Sequence, residues 1–153
     1  MLNLFRKKTV NLFSQEEKDL VVAAIQSAEC KTSGEVRVYI ESKCRFVKPV
    51  DRAIEIFQKL NMQSTAQRNA VIVYVAMKDR QLAVYGDQGI HEKVGKEFWN
   101  EAIKKMLQQF NSNDYASGIA TIVTEIGKAL QEHFPYDAQT DINELPDDIV
   151  FGK

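Results

Sequence analysis

Ala70-Val71-Ile72-Val73-Tyr74-Val75-Ala76-Met77 is an unbroken apolar run, rich in β-branched residues and closed by Lys78-Asp79-Arg80. A run of this kind suits a central strand covered on both faces. After the three charged residues, Leu82-Ala83-Val84-Tyr85 again has strand composition, so the interruption reads as a tight hairpin. Gly86 and Gly89 end that second strand. Gly86-Asp87-Gln88-Gly89 reads as a turn, because it lacks a dinucleotide fingerprint.

Upstream, Val36, Val38 and Ile40 alternate with Glu35, Arg37, Tyr39 and Glu41, a period of two that gives a strand with one apolar and one polar face. Between the strands, Pro49 and Asp51 open a helix whose apolar face is Ala53, Ile54, Ile56, Phe57 and Leu60. Strand, helix and strand imply a parallel pair joined by a crossover. Further upstream, Ser14 and Glu17 form a capping box, with Phe13 as its staple, ahead of the stripe Leu20, Val21, Ala24, Ile25 and Ala28. Downstream, one helix is marked by Phe98, Trp99, Ile103, Met106 and Leu107, with Phe110 near its end. A last one is marked by Tyr115, Ile119, Ile122, Val123, Ile126 and Leu130, stopping before Pro135.

The order α-β-α-β-β-α-α predicts a single-domain α/β/α sandwich. Its small mixed sheet is a parallel βαβ pair plus an antiparallel hairpin strand, flanked by helices. The core expected is Val36, Val38, Ile40, Val71, Val73, Val75, Leu82, Val84, Ile103, Ile119 and Ile122. Residues 1–12 form an N-terminal extension, 13–135 the domain, and 136–153 an acidic tail docked on the domain through Leu145 and Phe151.

At 153 residues the chain has the length of one domain. Its 44% hydrophobic and 27% charged residues exclude long disorder. Twenty Lys and Arg against 21 Asp and Glu leave a net charge of −1, without the basic excess of a nucleic-acid partner. No apolar run is long enough to span a bilayer and no secretory signal opens the chain. Cys30 and Cys44 read as two free thiols. A cytoplasmic protein is expected.

No GxSxG elbow or phosphate loop is present. His91, beside a glycine turn, and His133, at a helix end, read as structural. The carboxylates are more informative. The parallel pair brings the ends of its strands to one edge, where ligands of open α/β sheets collect. Glu41 leaves the first strand there, Asp79 the second, and Asp51 opens the intervening helix on the same edge. With loop carbonyls they predict a modest Ca²⁺ site, since Ca²⁺ accepts about six to eight mixed oxygen ligands. Helix-start and hairpin-turn duties are the structural alternative for Asp51 and Asp79. At the opposite edge lie Glu35, Asn69 and Asp87, with Asn69 read as a turn residue.

The stretch from Arg68 to Arg80 resembles the central signature of the TPM domain family, named for a plant thylakoid-lumen protein, a photosystem II repair protein and a worm receptor modulator. Phe13-Ser14-Gln15-Glu16-Glu17, Ser33-Gly34-Glu35-Val36-Arg37-Val38, Val84-Tyr85-Gly86-Asp87-Gln88-Gly89-Ile90 and Asp114-Tyr115-Ala116-Ser117-Gly118-Ile119 resemble its other segments in order and spacing. The tail from Asn143 to Ile149 is similar to the ending of short bacterial members. The resemblance implies an α/β/α sandwich, and places Asp51 and Asp79 on recurring acidic positions and Asn69 on the Asn before the central strand. It implies a Ca²⁺-binding module, and the reading taken is a soluble, cytoplasmic binding or adaptor domain with a divalent metal, open to an unknown protein partner. The competing implication is a metal-dependent acid phosphatase, in which Arg45, Lys78 and Arg80 would face the phosphoryl oxygens. The chain departs from many members in having no secretory signal or membrane anchor. It has Gln63-Ser64-Thr65-Ala66-Gln67 in place of their glycine-rich loop, and Val94-Gly95-Lys96 where they carry Thr-Asp.

Overall fold

A computed structural model describes residues 13–44, 47–111, 114–136 and 149–152 of the chain. Helix α1 (Gln15–Glu29) starts at the expected cap. The Ser14 hydroxyl accepts from the Glu17 N–H at 3.1 Å, and the Glu17 carboxylate accepts from the Ser14 N–H at 3.0 Å. The neighbouring Phe13 is buried. Strand β1 (Glu35–Glu41), helix α2 (Pro49–Lys59), a single 3-10 turn (Met62–Ser64) and strand β2 (Ala70–Ala76) then form the parallel unit. Strand β3 (Gln81–Gly86) returns antiparallel to β2. Helices α3 (Gln88–Asn111) and α4 (Tyr115–His133) follow, and strand β4 (Ile149–Phe151) joins the sheet parallel to β1. The strand order is β3-β2-β1-β4.

The period of two sorts the sheet into two layers. Val36, Val38 and Ile40 with Val71, Val73 and Val75, Leu82 and Val84 face α1, α3 and α4. Ile72, Tyr74, Ala76 and Ala83 face Ala53, Ile56 and Phe57 of α2 and Met62 of the 3-10 turn. β2 is buried along its whole length, as its unbroken apolar run requires. Among the described residues, no helix is long and apolar enough to cross a membrane.

Three expectations change, and α3 has a kink besides. First, Ile149–Phe151, read as part of a docked tail, supplies a fourth strand; Leu145 lies outside the described residues. With neighbours on both sides, β1 is interior, and its polar face is buried too: Glu35, Arg37 and Glu41 are each at most 5% exposed. Second, α3 opens at Gln88, ahead of the Phe98 stripe. The Asp87 carboxylate accepts from the Gln88 N–H at 2.8 Å and its carbonyl from the His91 N–H at 2.9 Å, so the supposed turn is a helix cap. Gly95, at φ 77°, kinks α3 in the left-handed region that glycine tolerates. Third, Ile103 is only partly buried. The buried line of α3 runs through Trp99, Ala102, Met106 and Phe110, which leaves Ile103 on its margin.

Candidate functional site

The carboxyl ends of β1 and β2 lie side by side, in register from Glu35↔Ala70 to Glu41↔Ala76. Two backbone bonds carry that register past the strands. The Met77 N–H donates to the Glu41 carbonyl at 2.9 Å, and the Lys78 N–H to the Ser42 carbonyl at 2.8 Å. The loop after β1 is thereby laid along the β2–β3 hairpin. Asp79 ties the two together, its carboxylate accepting from the Cys44 N–H at 2.8 Å. Arg80, at φ 52°, closes the hairpin turn.

Glu41 is 4% exposed, and both its carboxylate oxygens are engaged. Arg52, in the first turn of α2, donates from Nε at 2.9 Å and from Nη2 at 3.0 Å. The Tyr74 hydroxyl donates to Oε2 as well. The guanidinium forms a two-pronged, charge-assisted pair with the carboxylate. Its Nη1 reaches Glu55 at 2.9 Å. The bond to Glu41 holds Arg52 above the ordinary guanidinium range, with burial opposing. Burial pushes the Tyr74 hydroxyl up, reinforced by its bond to Glu41.

Glu41 and Asp79 therefore reach the edge expected of them, and Asp51 stands exposed in the first turn of α2, where a carboxylate favours the helix dipole. As they stand, the three do not fit as a cation-donor set. Glu41 already holds a cation, the Arg52 guanidinium, and Asp79 holds the loop. Among the described residues, no group of three or more His, Cys, Asp or Glu could hold a metal ion. Sequence reasoning missed Arg52. The available signal was Glu41 itself, because a glutamate in an interior strand needs a cationic partner, and the crossover helix starts directly over the strand's end.

This edge exposes charges of both signs, with Asp51 and Asp79 among its cations. Lys43, Lys48, Lys78 and Arg80 are all exposed, and Val47 and Val50 between them are each 43% exposed. Arg45 lies outside the described residues.

The opposite edge is closed by internal pairing. Asp87, 1% exposed, accepts from Arg68 Nε at 2.6 Å and Nη2 at 2.8 Å. That bond holds Arg68 above its ordinary range. Asn69 donates from Nδ2 to the Ser33 hydroxyl at 3.1 Å, and its backbone N–H reaches the Thr65 hydroxyl at 3.2 Å, in keeping with a turn role. Glu35 is buried at the start of β1. A polar pocket of about 300 Å³ opens beside the Arg68–Asp87 pair, lined also by Gln58, Gln63 and Tyr85. His91 Nδ1 accepts from the Trp99 indole at 2.9 Å and His133 closes the last turn of α4, both structural placements.

A family model described as TPM domain matches residues 7–129. Among solved structures, the NMR structure of the BA42 protein from the psychrophilic bacterium Bizionia argentinensis is similar with a TM-score of 0.84 and 35% identity, over 92% of this chain and 96% of that one. The solution NMR structure of the N-terminal domain of the cg2496 protein from Corynebacterium glutamicum is similar with a TM-score of 0.64 and 17% identity, over 78% and 75%. At that identity the likeness concerns the fold alone. A comparison with curated proteins returned no match.

Proposed function

The chain belongs to the TPM domain family, and from that premise we propose that it is a cytoplasmic binding module that works through the carboxyl edge of its sheet, with no hydrolytic step of its own. One observation carries the reading. The edge presents four exposed cations beside the exposed Asp51 and Asp79, while the charge of Glu41 is matched by Arg52, so that cations outnumber the exposed carboxylates facing them. The partner it suits is anionic. Free Cys30 and Cys44 fit a reducing compartment.

Calcium belongs to this proposal in a narrower form. With Glu41 held by Arg52, Asp51, Asp79 and loop carbonyls remain for a weak site. The phosphatase reading draws on the same neighbourhood, since Lys78 and Arg80 flank Asp79 and could meet phosphoryl oxygens.

Two measurements test the reading. Residue-resolved NMR with pyrophosphate as probe should shift the amides of residues 43–50 and 77–81, and no metal-dependent turnover of phosphate monoesters should appear. Turnover that disappears in Asp79→Ala would overturn the binding-module reading in favour of the enzyme. A parallel calcium titration should move residues 42–51 and 77–80 if the cation site exists; shifts confined to other segments remove calcium from the proposal.

A further inference from the structure

We infer that the pocket beside the Arg68–Asp87 pair is a second binding site, and that it takes an uncharged polyhydroxyl ring, a monosaccharide or cyclitol. The site lies at the other end of the sheet from the carboxyl edge and is independent of the reading of that edge.

The pocket is a concavity of about 300 Å³, at the small end of the range for ligand sites and large enough for a single ring. The C-terminal half of α2 supplies Phe57 and Gln58, the 3-10 turn Gln63, and the end of β3 Tyr85; Arg68 and Asp87 complete it. Its frame is fixed in advance. Arg68 stands at φ 51°, a left-handed conformation rare for a residue with a side chain and enriched at ligand sites. Its N–H donates to the Thr65 carbonyl at 3.2 Å, and its carbonyl accepts from the Gly89 N–H at 2.8 Å. A Cβ on residue 89 would lie 2.2 Å from the Gln67 carbonyl oxygen, so glycine is what lets α3 start against this backbone. The Asp87 carboxylate then holds the guanidinium through Nε and Nη2.

Within this frame, polar groups are left over. Arg68 Nη1 has no hydrogen-bond partner among the described residues, nor has the Tyr85 hydroxyl. The Gln63 carboxamide oxygen is buried without a hydrogen bond, which costs stability until a donor meets it. Turning that carboxamide toward the pocket offers the oxygen to a ligand. The ligand that suits these groups accepts from a guanidinium and donates to an amide oxygen within one small ring, and a hydroxyl does both.

The charges of the pocket cancel. Arg68 is matched by Asp87, and the other lining residues are neutral. An ion finds no unmatched charge here, so the ligand is uncharged. A flat heterocycle fits less well, because pockets for such rings are mainly apolar and present a face for stacking. Most of these lining side chains are polar, and Tyr85 is half-buried and set edge-to-face against Phe57 at 5.0 Å. The exposed part of Tyr85 gives the C–H groups of a sugar an apolar contact beside its polar tip.

Residue-resolved NMR of the full chain tests the inference, with D-glucose, D-galactose, D-mannose and myo-inositol as probes. At least one should shift the amides of residues 57–58, 63, 68 and 85–88 along a saturating curve and leave those of residues 77–80 in place. For a ring of about twelve heavy atoms at ordinary ligand efficiency, half-saturation falls at about 1–10 mM. Gln63→Leu keeps the bulk of the side chain and removes the carboxamide. It should weaken binding about tenfold while melting no lower than the parent, since an apolar group replaces a buried, unpartnered one. Tyr85→Phe, which removes only the hydroxyl, should weaken binding severalfold. As a control, Gln108→Leu, exposed on α3, should leave the affinity within about twofold. Absence of shifts with all four probes, or shifts still linear at about 100 mM, well past the expected range, would overturn the inference. So would equal affinity in the parent and Gln63→Leu, or pyrophosphate binding to these residues more tightly than any of the four rings.

Discussion

A carboxylate buried as deeply as Glu41 needs a charge partner and filled lone pairs, and Arg52 and Tyr74 provide both. Arg52→Ala leaves the carboxylate with the Tyr74 hydroxyl alone, and should cost about 3 kcal/mol in urea unfolding. Adding Glu41→Gln should recover part of that loss, because a neutral amide no longer needs the guanidinium. A double variant as unstable as the sum of the two single ones would show that the pair is not coupled. Tyr74 makes a second prediction. Burial and the bond to Glu41 raise its folded value above the ordinary 10.0. Above about pH 10 the unfolded chain's tyrosine gives up its proton while the folded one keeps it, so stability is present below that pH and falls above it. The slope is about 1.4 kcal/mol per pH unit. Tyr74→Phe should flatten the alkaline fall in melting temperature relative to the parent. Parallel curves for parent and variant would assign the fall to other groups.

Packing between elements is most demanding where α1 crosses α4. Gly127 of α4 lies against Ala28 of α1, so close that a Cβ on residue 127 would sit 2.6 Å from the Ala28 Cβ. Gly127→Ala would gain about 1 kcal/mol of helix propensity. The overlap forces the helices apart at a cost of about 1–3 kcal/mol, so the net change should be a loss. Urea unfolding checks the sign, and a more stable variant would mean that the helices can slide. Legibility in the sequence follows the same logic of local against distant causes. The capping box, the β2 run and the Lys78–Arg80 hairpin were readable because each is written within a few consecutive residues. The start of α3 was not, because the cap at Asp87 hides inside a glycine-bracketed segment that also suits a turn. β4 was not, because three residues are too few for a periodicity, and Ile149–Phe151 becomes a strand only by pairing with Val38–Ile40.

At the scale of the whole molecule, parallel pairing was enough to foretell that Glu41 and Asp79 share one edge, but not the charge that the edge presents. That charge depends on Arg52, which reaches Glu41 only once the crossover helix is in place, and on Asp79, which stays exposed and charged while accepting from the Cys44 amide. Both bonds also attach the working edge to the thinner side of the sheet. Three helices, α1, α3 and α4, cover one face, and α2 with the 3-10 turn covers the other. A layer with less apolar burial opens more readily than the global fold. Native-state hydrogen exchange should therefore separate the two sides. Amides of β2 and of the buried stripe of α4 should exchange only through global unfolding, with the full denaturant slope. Amides of α2 should exchange through a smaller opening, with a lower free energy and a shallower slope. Arg52 is the staple on that layer, so Arg52→Ala should lower the α2 free energy at least as much as it lowers the global one. If α2 shares the free energy and slope of β2, the two layers unfold as one unit. The edge would then be as rigid as the core, and a surface able to adapt to its partner would have to be sought in the loop alone.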